Sequence, residues 1–264
     1  MKTRMETGCR LTFAAALLMV AAELRADQLI MKNGQVMEAK SVRFKSSTLE
    51  YIVTTADSTV PVAAKLVDHA VVPRPPALDA AIANVDAGKY DAAIAALETV
   101  VTENTGLEWD NVARDVLGQA YMGKKDGKKA VSTYKEILEN VPVERVTLGI
   151  RRHYWEALKA AELYPLLKKD LDDVIAMGSR ETAAMAQILR GDMYLAQGQK
   201  NEALLDYLRT VILYEKEAAL QPEALYKAAG LLEELRDPRA VDLRKKLATD
   251  YPNSPFVKKS SGGK

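Results

Sequence analysis

Cysteine is almost absent from this chain. Cys9 is the only one in 264 residues, which rules out an internal disulfide and any cysteine-based metal centre. Histidine is nearly as scarce, with only His69 and His153, so a histidine-based ligand or nucleophile constellation would have to draw on two distant positions. Large aromatic rings are few, with three Phe and two Trp. Helices packed through small residues therefore fit better than an aromatic-filled sandwich. Charge of one sign is also missing: 37 basic residues face 36 acidic ones, a formal net of +1. That balance excludes binding to nucleic acid or a membrane surface through bulk charge. No apolar run reaches the roughly 20 residues of a membrane-spanning helix. Gly-x-Ser-x-Gly, His-Glu-x-x-His and a glycine-rich phosphate loop are all absent. No catalytic set, cofactor or metal site is implied.

What is present begins with a leader. Lys2, Arg4 and Arg10 precede the apolar run Leu11 to Ala22, and Ala26 offers a small residue at a cut. This is the pattern of a cleaved secretory signal covering residues 1–26, with Asp27 as the new first residue. Cys9 precedes the apolar run, whereas a lipid-anchoring cysteine would follow it. Removal of the leader takes four basic and two acidic residues, leaving a cysteine-free chain of net −1.

Residues 27–73 are rich in Val, Ile and Thr, with short turns. Asn33-Gly34 is a strong hairpin signal. Leu49, Tyr51 and Val53 alternate with Glu50, Ile52 and Thr54 as in a half-buried strand. Five strands are expected, over Gln28–Met31, Val36–Lys45, Thr48–Thr54, Thr59–Ala63 and His69–Val72, with a helical turn at Lys65–Val67. So small a sheet must close on itself to hide its edges, and its rhythm resembles SH3-like or Sm-like barrels. His69 falls at a strand end, without a second ligand at metal spacing. Pro73, Pro75 and Pro76 around Arg74 then form a stiff spacer, residues 74–76 being the linker.

From Ala77 the pattern is helical to residue 258, followed by a polar tail, 259–264, expected to be disordered. In LGQAYMGKKDGKKAVSTYKEILENVP, Leu117, Gly118, Tyr121, Ala130, Tyr134 and Pro142 mark two helices packed back to back. The order resembles the tetratricopeptide repeat, which recurs about every 34 residues; Arg114 stands where its opening Trp belongs. Tyr90, Ala93 and Leu97 fit an earlier unit, and Thr105 with Glu108 reads as a capping box for the next helix. Gly191, Tyr194, Gly198, Ala203 and Tyr207 repeat the order, while Gly230, Ala240, Leu247 and Pro252 keep part of it. Between them, Trp155, Leu158, Leu171 and Ile175 form a degenerate unit, with Lys159 and Leu171 in place of small residues.

The resemblance implies a mostly α protein, a solenoid of about five helix pairs preceded by a small all-β module. It also implies a non-enzymatic scaffold that holds a protein or peptide partner on its concave face. Tyr251-Pro-Asn-Ser-Pro is similar to repeat ends of exported cell-envelope proteins, including the lipoprotein subunit of outer-membrane β-barrel assembly and the periplasmic Tol–Pal coordinator. A periplasmic or secreted location in the envelope follows from that likeness and the leader.

Helical spacing selects the groove residues. Asp115, Gln119 and Met122 share one face of the first helix of the central pair, away from Leu117 and Tyr121. Met185, Ile188 and Asp192 hold the matching positions in the fourth unit, with His153 and Glu156 between. These eight are the expected partner groove, with Met185 and Ile188 also readable as core. Asp170, Asp172 and Asp173, with Glu162, have Lys168 and Lys169 beside them and read as a solvated, salt-bridged face. Two other readings stay open, a β module that does the recognising on a helical platform, and an enzyme or substrate-binding protein.

Overall fold

The computed structural model describes residues 26–142 and 145–261. The expected signal segment lies outside these residues, apart from Ala26. Six strands come first: β1 (Asp27–Met31), β2 (Val36–Ala39), β3 (Ser41–Lys45), β4 (Glu50–Thr54), β5 (Thr59–Ala63) and β6 (Val67–Val71). They form two antiparallel three-stranded sheets, ordered β2-β1-β6 and β3-β4-β5. Leu29, Val42, Val53, Val67 and Ala70 fill the space they share.

Asn33-Gly34 turns the β1–β2 hairpin as expected. Gly34 takes φ +84, and the Asn33 side chain accepts a hydrogen bond from the Gln35 amide. The single strand expected over Val36–Lys45 is two. At Lys40 the chain leaves the first sheet, and the Lys40 amide bonds to the Thr54 carbonyl of the second. The Asp27 carboxylate accepts from the Val42 amide at 2.7 Å, fastening β1 to β3 at this corner. Leu49 is not a core strand residue. It sits in the β3–β4 turn at φ +53 and is 64% exposed. The helical turn lies at Ala64–Leu66, and β6 starts two residues earlier than expected.

Helices α1 (Pro76–Asp86) and α2 (Tyr90–Glu103) follow, then α3 (Glu108–Gly123) and α4 (Gly127–Asn140), α5 (Leu148–Ala160) and α6 (Tyr164–Met177), α7 (Arg180–Ala196) and α8 (Lys200–Leu213), α9 (Gln221–Glu234) and α10 (Arg239–Asp250), and a short α11 (Pro255–Ser261). Each helix packs on the next, and α1 touches α3, α3 touches α5 and α5 touches α7 along one side of the stack. Pro at the first turns of α1, α6 and α9 costs no hydrogen bond there, because those amides have no partner inside the helix. None of the described helices is long and apolar enough to cross a membrane.

The five hairpins share one cap. Gly88, Lys125, Glu162, Gly198 and Arg236 all have left-handed φ, spaced 37, 37, 36 and 38 residues apart. In every case the next amide reaches back to a carbonyl five residues earlier, as Asp126 does to Tyr121 and Asp237 to Leu232. This is the Schellman arrangement that satisfies the last carbonyls of a helix. The degenerate third unit carries it too. There, Lys159 and Leu171 replace small residues, and α5 and α6 meet over far less of their length than the other pairs. A helix pair approaches only as closely as its bulkiest facing side chains allow.

Two further expectations are corrected. Thr105 and Glu108 form no capping box. The Thr105 hydroxyl donates back to the Val101 carbonyl at 2.9 Å, ending α2, and Leu107 is the residue before α3. Of the tail expected to be disordered, residues 259–261 close a helix held by Phe256 against Tyr226 and by Arg244 bonding to Ser260, and residues 262–264 lie outside the described residues.

The β module and the helices share core. Leu107 from the α2–α3 loop is buried among the strand residues. The Trp109 indole donates to the Val72 carbonyl at 2.9 Å, and the Tyr51 hydroxyl donates to the Gly106 carbonyl at 3.0 Å. Gly106 has φ +73, and a side chain there would strike the Phe44 ring.

Candidate functional site

Odd helices α3, α5, α7 and α9 line one side of the stack, and their polar side chains on that side are joined. The His153 Nδ1–H of α5 donates to Asp115 of α3 at 2.8 Å. Three residues on, Glu156 accepts from Arg152 at 3.0 Å. Arg152 also reaches Glu223 of α9 at 2.6 Å. Lys227, one turn along α9, pairs with Glu223 at 2.7 Å and with Asp192 of α7 at 2.6 Å. The Tyr207 hydroxyl donates to Asp192 at 2.6 Å. The result is a row of charges running across four repeats.

Environment tunes these groups. Burial pushes the Glu223 carboxyl up, but hydrogen bonds from Arg152 and the charge of Lys227 outweigh it and hold the pKa down to about 2. The hydrogen bond to Asp115 raises His153 above its ordinary value, against the desolvation that lowers it. Burial, reinforced by the Asp192 charge, raises Tyr207. All of these shifts favour the paired, hydrogen-bonded state seen in the structure.

The structure therefore brings together four of the expected groove residues, Asp115, His153, Glu156 and Asp192. Gln119 and Met122 lie half-buried on the same face of α3. Met185 and Ile188 do not line a groove. They are 1% and 0% exposed, inside a helix whose residues 183–189 are all buried. The physical reason is that α7 packs against α5, α6 and α8, so the side chains of Met185 and Ile188 join the helical core.

Arg152, Glu223 and Lys227 were not among the residues selected from the sequence. Their signal was the i, i+4 opposite-charge spacing of Arg152 with Glu156 and of Glu223 with Lys227. The pairing across repeats leaves no such trace.

Elsewhere, His69 donates to Asp68, which also accepts from Arg145 at 2.8 Å. The Asp170–Asp173 stretch is ion-paired, Lys169 with Asp173 at 2.7 Å, and Asp172 with both Lys168 and Arg190 at 2.5 Å. Among the described residues no three His, Cys, Asp or Glu side chains are arranged to hold a metal ion.

A family model described as Tetratricopeptide repeat matches residues 223–254, the last hairpin. Among solved structures, the nearly identical TPR-like repeats of a protein described as a kinesin light chain from Podosopora anserina are similar, with a TM-score of 0.51. That likeness covers 71% of this chain and 96% of the other at 16% identity, and concerns the fold. No curated protein matches the chain in sequence. The helical region has the fold of a tetratricopeptide-type solenoid.

Proposed function

We propose that this chain is an exported, non-enzymatic scaffold of the bacterial cell envelope, periplasmic or secreted, that binds a protein or peptide partner on the inner face of its solenoid. The observation that carries the reading is the row Asp115, His153, Glu156 and Asp192. Side chains from three successive first helices converge on one surface, with Gln119 and Met122 beside them. Polar groups give orientation, and a methionine adapts to varied apolar side chains. Export rests on the leader pattern, with Asp27 expected at the start of the mature chain. The mature chain needs no cofactor for this role and has no bulk basic charge for nucleic acid.

Photocrosslinking in the native envelope tests the binding face. A benzophenone amino acid at Gln119 or Met122 is expected to capture a protein, and one at Ile212 or Val241 is not. The latter two are 67% and 70% exposed on second helices. N-terminal sequencing of the captured chain tests export, with Asp27 first if the leader is removed and Met1 first if it is retained.

A second reading makes the β module the recognition element. It is favoured by a cleft of about 710 Å³ between β6 and the helices, bordered by His69, Asn111 and Arg145. Crosslinks formed from His69 rather than Met122 would select it.

A further inference from the structure

We infer that the inner face takes a basic segment, whose Lys or Arg side chains enter between Asp115 and Glu156 beside Met122. This rests on the inner-face reading above and specifies its ligand. The row holds four carboxylates, on Asp115, Glu156, Asp192 and Glu223, against two permanent cations, on Arg152 and Lys227. His153 adds charge only when protonated.

The surplus is not spread evenly. At the α7–α9 end, Lys227 serves both Asp192 and Glu223, whose side chains are 14% and 8% exposed. At the α3–α5 end, among the described residues, Glu156 is ion-paired only with the Arg152 that it shares with Glu223, and Asp115 only with His153. These two side chains are 35% and 26% exposed. Asp115 is bonded to His153 at 2.8 Å, and Glu156 lies one turn beyond His153 on α5, which places the two carboxylates in one site. A cation arriving there completes a pairing the protein leaves short, whereas an acidic segment meets uncompensated like charge. Met122 and Gln119 on the adjoining turns offer the segment an apolar contact and an amide.

The test uses the purified chain and three fluorescent peptides of about a dozen residues. They share a Leu/Ser framework and carry Lys, Glu or Gln at the same positions. Anisotropy is expected to show the Lys peptide bound about tenfold more tightly than the Glu peptide, with affinity falling as salt rises. Asp115→Asn with Glu156→Gln, near-isosteric changes checked by melting, is expected to weaken the Lys peptide about tenfold. Gln119→Lys is expected to weaken it as well. Glu202→Gln with Glu215→Gln, which removes acids elsewhere on the surface, is expected to leave it unchanged.

Equal weakening by the two acid-removing pairs would overturn the inference, as would indifference to the first pair. A Glu or Gln peptide that binds best and is lost in Met122→Arg would overturn the basic class while keeping the inner face. Binding of no peptide would count against both.

Discussion

Tyr134 and Tyr207 are held in the same way, sixteen residues after the glycines their rings cover. A side chain added at Gly118 would fall inside the Tyr134 ring, and one at Gly191 would meet Tyr207. Their hydroxyls donate to the Asp115 carbonyl at 3.2 Å and to the Asp192 side chain at 2.6 Å. Gly118→Leu is expected to cost about 1–3 kcal/mol by forcing the ring and its helix away. Thermal melting reads the loss, and an unchanged midpoint would contradict the close contact. These glycines were legible in the sequence because a small residue and an aromatic recur at fixed spacing. Asp206 was not legible. In KNEALLDYLRT it looks like one acid on a helix, yet it is fully buried and accepts from Gln187, Arg190 and Arg209. Asp206→Ala leaves the half-buried Arg190 short of its main partner, a loss of roughly 3–5 kcal/mol. Urea unfolding measures it, and a loss below about 1 kcal/mol would show that the Arg190 charge is readily accommodated otherwise.

At the scale of elements, the inter-helix turns separate what sequence shows from what it hides. Gly88 and Gly198 announce a left-handed cap. Lys125, Glu162 and Arg236 adopt the same backbone without glycine's freedom, so the regularity of the five caps is visible only in three dimensions. A left-handed non-glycine residue costs on the order of 1 kcal/mol. Glu162→Gly is therefore expected to raise stability by roughly that amount and Gly88→Ala to lower it, read from denaturation midpoints. A destabilised Glu162→Gly would mean that the third turn does not hold this conformation. In the β module the break between β2 and β3 escaped the sequence for a similar reason. Lys40 is neither glycine nor proline, and the switch of sheets is driven by hydrogen bonds to Thr54 and Asp27 from distant strands. The fusion of module and helices escaped too, since Leu107 reads as one more apolar residue before a helix.

At the scale of the whole molecule, the charged row ties the stability of the solenoid to pH. Glu223 has a folded pKa of about 2, below its ordinary 4.5. Its contribution is full above about pH 4.5 and is lost as pH falls toward 2, a term of about 3 kcal/mol. His153 is shifted the other way. Its contribution is full below about pH 6.5 and fades as pH rises past its raised value. Glu223→Gln is expected to flatten the acid limb of stability against pH, and an unaltered limb would place the acid sensitivity elsewhere. The solenoid itself was legible from repeated small, aromatic and proline positions. The charge pairing across repeats was not, because the Arg152–Glu223 contact joins residues 71 apart whose sequence neighbourhoods are unremarkable. Met185 and Ile188 read as groove from helical spacing and fold as core, because α7 packs on α5, α6 and α8 at once. If a partner is held on α3 and α5, hydrogen exchange of the chain, alone and with its crosslink-identified partner, reads that contact. Slowed exchange is expected over 108–123 and 148–160, with α8 and α10 unchanged. Protection confined to β6 and its cleft, or to the second helices, would contradict it.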